Sequence, residues 1–203
     1  MDDMAARPKQ HVIQGTKQLS VLAAAARQEL VDVLAHMGTV SVAEIAATMG
    51  RPADALYFHL RELKRAGLVE QVGYRTRSGR QEALFRTVAP ELRLEYEPHN
   101  AANRRGITAI VSSMLRLGVR DFRRAFAGGD AIVAGRHREL WALRRTGRLS
   151  LSQIRDVNRS IGQLMRHLRP QGRGRLYGIT VLLTPLDHRR RKDKRNLQSR
   201  GEK

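Results

Sequence analysis

Apolar residues recur at helical spacing in two neighbouring stretches near the middle of the chain. Val42, Ile45, Ala46 and Met49 form the first set, and the second set is Ala55, Leu56, Leu60 and Leu63. The first pattern predicts a short helix, and the second predicts a helix from Pro52 to Ala66 with one apolar face. Because so few residues separate them, the two helices should cross at a steep angle, as in a helix-turn-helix.

Start and stop signals fit these two helices. Ser41 and Glu44 have the S-x-x-E spacing of a capping box, which satisfies free amides at a helix start. Gly50 can adopt the left-handed conformation that ends a helix, and Pro52 suits the first turn of the next helix. Gly67 ends the second helix in the same way.

A hairpin is predicted after the second helix. The runs 68–72 and 83–88 have strand character, and they flank residues 74–81, which are rich in arginine. Helix, turn, helix and basic hairpin follow one another in the order of a winged helix-turn-helix, which predicts an α+β fold and DNA binding.

The second helix and its exit carry a more specific pattern. His59-Leu60, Leu63 and the run Ala66-Gly67-Leu68-Val69 resemble the recognition-helix signature of ArsR-like winged helix-turn-helix regulators. The resemblance covers about Gln18 to Pro90. It implies a homodimer whose recognition helix enters the major groove of double-stranded DNA while the wing touches the backbone or the minor groove.

Candidate DNA contacts follow from this placement. On the recognition helix they are Asp54, Tyr57, Phe58, His59 and Arg61, and on the wing they are Arg75, Arg77 and Arg80. The Arg61 guanidinium could donate two hydrogen bonds to guanine O6 and N7, or it could contact a phosphate. The two aromatic residues could instead pack beneath the wing, and for His59 a structural role is favoured over base readout.

A long amphipathic helix is predicted from about His99 to Phe126, ending near Gly128-Gly129. We expect its apolar stripe to form a dimer interface, as the resemblance implies, and the alternative is packing within its own subunit. The interface candidates are Ile107, Val111, Met114, Leu115 and Phe122.

The rest of the chain predicts a small domain and a tail. A strand at 137–144, a helix at 150–168 and a strand at 177–183 suggest a strand-helix-strand unit. The basic run from His188 lacks apolar periodicity and is interpreted as a disordered tail that either adds nonspecific nucleic-acid affinity or is simply solvated. The predicted organisation is an arm (1–17), the winged helix-turn-helix domain (18–95), the long helix (96–129), a small α/β domain (130–187) and the tail (188–203).

Charge is distributed unevenly. The formal net charge is +19, yet residues 1–95 hold 13 basic and 11 acidic residues, whereas residues 96–203 hold 25 and 8. This asymmetry keeps open a second interpretation, a nonspecific nucleic-acid-binding or ribosome-associated protein that uses its basic C-terminal half.

Several chemistries find no support in the sequence. The chain has no cysteine, which excludes cysteine-based metal sensing and thiol switching. Its histidines lack ligand spacing, and neither a Walker loop nor a nucleophile elbow is present, so we expect no metal site, no cofactor and no enzyme activity. The acidic N-terminus has no apolar leader and no run is long enough to span a membrane, so a cytoplasmic protein is expected.

The sequence thus predicts a homodimeric, sequence-specific transcriptional regulator, with repression favoured as the commoner mode in such families. A small-molecule effector bound near Trp141 is compatible with this function. The operator and the direction of regulation do not follow from the residues.

Overall fold

The computed structural model describes residues 7–168 and 174–186. Six helices and five strands form there. The helices are α1 (Thr16–Leu22), α2 (Ala25–Met37), α3 (Val42–Met49), α4 (Asp54–Arg65), α5 (Ala101–Gly128) and α6 (Leu151–His167); the strands are β1 (Gln10–Ile13), β2 (Val40–Ser41), β3 (Val69–Arg77), β4 (Arg80–Thr87) and β5 (Glu91–Leu94).

The helix-turn-helix consists of α3 and α4, and its local signals are confirmed. The Ser41 hydroxyl accepts from the Glu44 amide while the Glu44 carboxylate accepts from the Ser41 amide, which completes the capping box. Gly50 ends α3 in the left-handed region at φ 60° and ψ 38°. The helix α4 begins at Asp54 rather than at Pro52.

The wing is an antiparallel sheet in the order β2-β4-β3. Its strands are longer than predicted, because β3 and β4 continue through the arginine-rich segment to a two-residue turn at Ser78 and Gly79. Both turn residues have positive φ, as the favoured two-residue hairpin turn requires. The wing arginines therefore stand on paired strands and not on a loose tip.

One buried cluster joins the helices to the sheet. Leu30 and Leu34 of α2, Ile45 of α3 and Leu63 of α4 are fully buried in it. Helix α5 packs on α1 and α2. The approach is close at Gly106, where a Cβ atom would lie 2.8 Å from the Leu19 Cβ atom.

The N-terminal segment is more ordered than an arm. Strand β1 pairs in parallel with β5, with Gln10 opposite Glu91 and Ile13 opposite Leu94. Ile13 is buried in the core. Residues 10–17, predicted to be an arm, thus contain a strand and the start of α1.

The predicted strand-helix-strand domain is wrong in its strands. The helix is present as α6, and a capping box formed by Ser150 and Gln153 starts it. Residues 140–150 and 175–186 run without regular secondary structure, and all of them except Leu140 are exposed. The strands were predicted from β-branched and apolar composition alone. A strand forms only when a neighbouring backbone completes its hydrogen bonds. The predicted tail from His188 lies outside the described residues.

Candidate nucleic-acid interface

One face of α4 carries most of the predicted reading residues. Asp54, Tyr57, Phe58 and Arg61 are spaced i, i+3, i+4 and i+7, which places them on one side of a helix. All four are exposed, and the two aromatic side chains are 52% and 54% accessible. Two large aromatic groups in contact with water form a surface that a partner can cover.

The opposite face of α4 holds the helix in place. Leu56, Leu60 and Leu63 are at most 2% exposed and belong to the core cluster. The alternative in which Tyr57 and Phe58 pack beneath the wing is not what the structure shows. A substitution on the exposed face should therefore leave the core intact.

His59 lies between these two faces. Its ring meets the Phe58 ring edge-on at 5.5 Å between centroids, and its Nδ1 atom is buried without a hydrogen-bond partner. Burial lowers the pKa of His59, and the nearby charges of Arg27 and Arg51 lower it further. The structural role favoured for this histidine stays a prediction.

The three wing arginines differ from one another. Arg75 is half-buried, and its Nη2 atom lies 2.9 Å from Glu82 Oε2 and 3.0 Å from Glu44 Oε1. Arg77 is exposed, and its nearest carboxylate oxygen, on Glu44, is 3.9 Å away. Arg80 is exposed beside the turn and makes no ion pair within the described part of the chain. Sequence spacing gave no sign of this division.

Two carboxylates therefore contact the cationic side chains of the wing. The pKa of Glu44 is lowered by the Ser41 amide first and by Arg75 as well, and Arg75 also lowers the pKa of Glu82. Both groups are charged near neutral pH, so the charge of Arg75 is already neutralised within the protein.

A second ionic cluster connects the helix-turn-helix to α5, and sequence analysis missed it. Glu29 of α2 accepts from Arg120 of α5 at 2.8 and 2.9 Å and from Arg51, in the turn before α4, at 2.6 Å. Two partners 22 and 91 residues away in the sequence leave no local signal. Through Glu29, the Arg120 side chain of α5 is connected to Arg51 in the turn before α4.

The structure divides the predicted dimer-interface residues between two sides of α5. Ile107 is 8% exposed and lies in the core of its own subunit, and Val111 and Met114 pack against the same core. The amphipathic pattern did not separate them because α5 has two apolar sides. The exposed side consists of Leu115, Val119, Phe122 and Phe126.

The described part of the chain contains no cluster of histidine, cysteine, aspartate and glutamate that could hold a metal ion. A helix long and apolar enough to cross a membrane is likewise not found among the described residues. Trp141 is 66% exposed, with the Arg138 guanidinium 4.4 Å from the centre of its ring.

Comparison with known proteins agrees with this geometry. The arrangement of α3, α4 and the β3–β4 hairpin is that of a winged helix-turn-helix. Residues 22–72 then match the family model described as a helix-turn-helix domain. A search of curated proteins found no significant match. The matched range includes α2, α3, α4 and the first residues of β3, so the chain contains a helix-turn-helix domain, which points to DNA binding and transcriptional regulation.

Proposed function

We propose that this protein is an ArsR-like, sequence-specific transcriptional regulator that reads double-stranded DNA with α4 and acts as a homodimer, most simply as a repressor. The exposed face of Asp54, Tyr57, Phe58 and Arg61 is the observation that carries the proposal. A helix held by its buried face and presenting an arginine and two aromatic groups suits the major groove.

Homodimer formation is supported by the exposed side of α5. Leu115, Val119, Phe122 and Phe126 form a stripe about 16 Å long, given a rise of about 1.5 Å per residue. The Phe122 and Phe126 rings stack at 6.1 Å between centroids. A second copy that covered this stripe would present two recognition helices to an inverted repeat.

The rival function uses the basic C-terminal half for nonspecific binding. It is favoured by the charge distribution, with 25 basic and 8 acidic residues after residue 95. Nonspecific binding would respond strongly to salt and only weakly to sequence. The two functions therefore differ in a measurable way.

The deciding experiment selects bound duplexes from a random pool and then measures affinity by fluorescence anisotropy. Tyr57→Ala and Arg61→Ala should each weaken binding to the selected duplex, by about 10-fold if a good base contact is lost, and should leave binding to scrambled DNA nearly unchanged. Arg105→Ala removes one exposed charge from α5 and serves as the control. An unchanged ratio of specific to scrambled affinity in both α4 variants would exclude this face as the reader.

A further inference from the structure

The Glu44 carboxylate faces two elements at once. Its Oε2 atom accepts a 2.8 Å hydrogen bond from the Ser41 amide at the start of α3. Its Oε1 atom lies 3.0 Å from Arg75 Nη2 and 3.9 Å from Arg77 Nη1 on β3. One residue therefore caps the first helix of the helix-turn-helix and also contacts the wing.

Arg75 extends this connection across the hairpin. The same Nη2 atom lies 2.9 Å from Oε2 of Glu82, the residue opposite it on β4. The chain of contacts Glu44–Arg75–Glu82 thus joins α3 to both wing strands. None of the three side chains is fully exposed, with accessibilities of 28%, 38% and 23%.

We propose that Glu44 and Arg75 are positioning residues that fix the wing against the helix-turn-helix, and that Arg75 acts through this connection and makes no phosphate contact. The inference rests on the proposed DNA-binding function. It assigns different tasks to Arg75 and Arg80, with Arg80 as the cation that meets phosphate.

The mechanics of the hairpin support this assignment. A two-stranded ribbon is marginally stable and free to twist unless another element holds it. Strand β2 pairs with β4 only at Val40 and Ser41, opposite Phe85 and Leu84. Beyond Leu84, Ala83 still packs against the core, and the Glu44–Arg75 pair then connects the outer part of the wing to α3.

Charge supports it too. Glu44, Glu82, Arg75 and Arg77 carry no net charge together, so they attract phosphate little as a group. Moving Arg75 to a phosphate would leave two partly buried carboxylates without their partner, next to a polyanion. Arg80 is not held in this way.

The test compares two identical substitutions in the same region. Glu44→Gln retains the capping box, which glutamine can complete, but removes the charge that holds Arg75. Glu70→Gln is the matched control, because Glu70 pairs with Arg86 across the same hairpin, at 2.7 Å, without a contact to α3. Arg75→Gln tests the other partner independently if the Glu44 variant does not fold.

We expect Glu44→Gln and Arg75→Gln each to lower the ratio of specific to scrambled affinity by about two- to fivefold, the range of an ion pair in contact with solvent. The double variant should lose no more than the larger of the two single losses, because each single substitution already breaks the Glu44–Arg75 pair. Arg80→Gln should instead weaken both duplexes and reduce the salt slope by about 0.9 per lost phosphate contact. If Arg75→Gln reduced the slope equally, or if the two losses added, the proposal would be wrong.

Hydrogen exchange without DNA separates this inference from the proposed function. Amides at 74–82 should exchange faster in Glu44→Gln than in Glu70→Gln, since only the first removes an ion pair between the wing and α3. Should the wild-type protein prefer no duplex, the proposed function fails, and the exchange result alone decides the positioning role. Equal exchange in the two variants would overturn it.

Discussion

The contact between α5 and the helix-turn-helix domain can be tested with the same substitution, glycine to alanine, made at two positions. Gly106 and Gly118 both lie inside α5, and neither has a positive φ. At Gly106 an added Cβ atom would lie 2.8 Å from the Leu19 Cβ atom, whereas at Gly118 the nearest atom is Thr180 Oγ1 at 3.6 Å. The first distance is a clash and the second is an ordinary contact.

The magnitudes follow from two opposing effects. Replacing glycine by alanine in a helix interior gains about 1 kcal/mol. At Gly106 the clash falls on the Cβ atom of Leu19, which is 1% exposed and cannot move away by rotating its side chain. Overpacking of this kind costs about 1–3 kcal/mol. Gly106→Ala should therefore destabilise the protein by about 1 kcal/mol on balance, while Gly118→Ala should stabilise it by about 1 kcal/mol.

Urea unfolding followed by circular dichroism measures both variants under the same conditions. A difference of about 2 kcal/mol in the free energy of unfolding, with opposite signs relative to wild type, is the expected result. In thermal unfolding each kcal/mol corresponds to about 2–4 °C for a chain of this size. If Gly106→Ala stabilised the protein as much as Gly118→Ala, α5 would not dock on α1 as described.

Three further predictions concern assembly, protonation and the tail. Leu115→Glu should give folded monomers in light scattering if the exposed side of α5 forms the dimer; a wild-type protein that is monomeric at micromolar concentration would contradict this. Dense packing around the carboxylate, together with the like charges of Glu29 and Asp121, raises the pKa of Asp32 to about 6, although the residue is in contact with solvent. The ionised Asp32 then disfavours the fold, and because solvent screens an exposed carboxylate the effect should be small. Asp32→Asn should raise the melting temperature slightly at pH 7.5 and lose that advantage near pH 4; an equal gain at both values would refute it. Truncation after Leu186 should preserve the preferred duplex while lowering affinity and salt dependence, and loss of preference would favour the nonspecific function.

Local chemistry made the helix-turn-helix predictable. The capping box needs only Ser41 and Glu44, and the end of α3 needs only Gly50, so a few neighbouring residues determine each boundary. The apolar stripe on α4 also identified the exposed face by elimination. These signals act within one or two helical turns, which is why a single sequence carries them.

Pairings between distant residues were not predictable in the same way. Strands β1 and β5 are four residues each and pair in parallel although about 80 residues separate them in the sequence. No hairpin turn connects them that a sequence pattern could reveal. The run 177–183 shows the opposite error, since its composition favours a strand but no backbone in the described chain completes one. Composition shows only that a segment can adopt a strand, and whether it does so depends on a neighbouring strand to pair with.

The near-neutral charge of the first 95 residues is unfavourable for a DNA-binding domain. The ion pairs explain why this part of the chain contains so many acidic residues. Glu44 and Glu82 hold Arg75, Glu70 holds Arg86, and Glu29 joins Arg51 to Arg120.

The acidic residues in these pairs connect helices and strands. The net charge of the domain is therefore a poor guide to how strongly its surface attracts phosphate. The arginines they bind should likewise be left out of any count of phosphate contacts. Within the described part of the chain, the cations of α4 and the wing that make no ion pair are Arg61, Lys64 and Arg80. Such a surface can discriminate between bases while attracting DNA weakly over distance. In the proposed regulator, long-range attraction would therefore come from the basic residues after 95, and selectivity from α4.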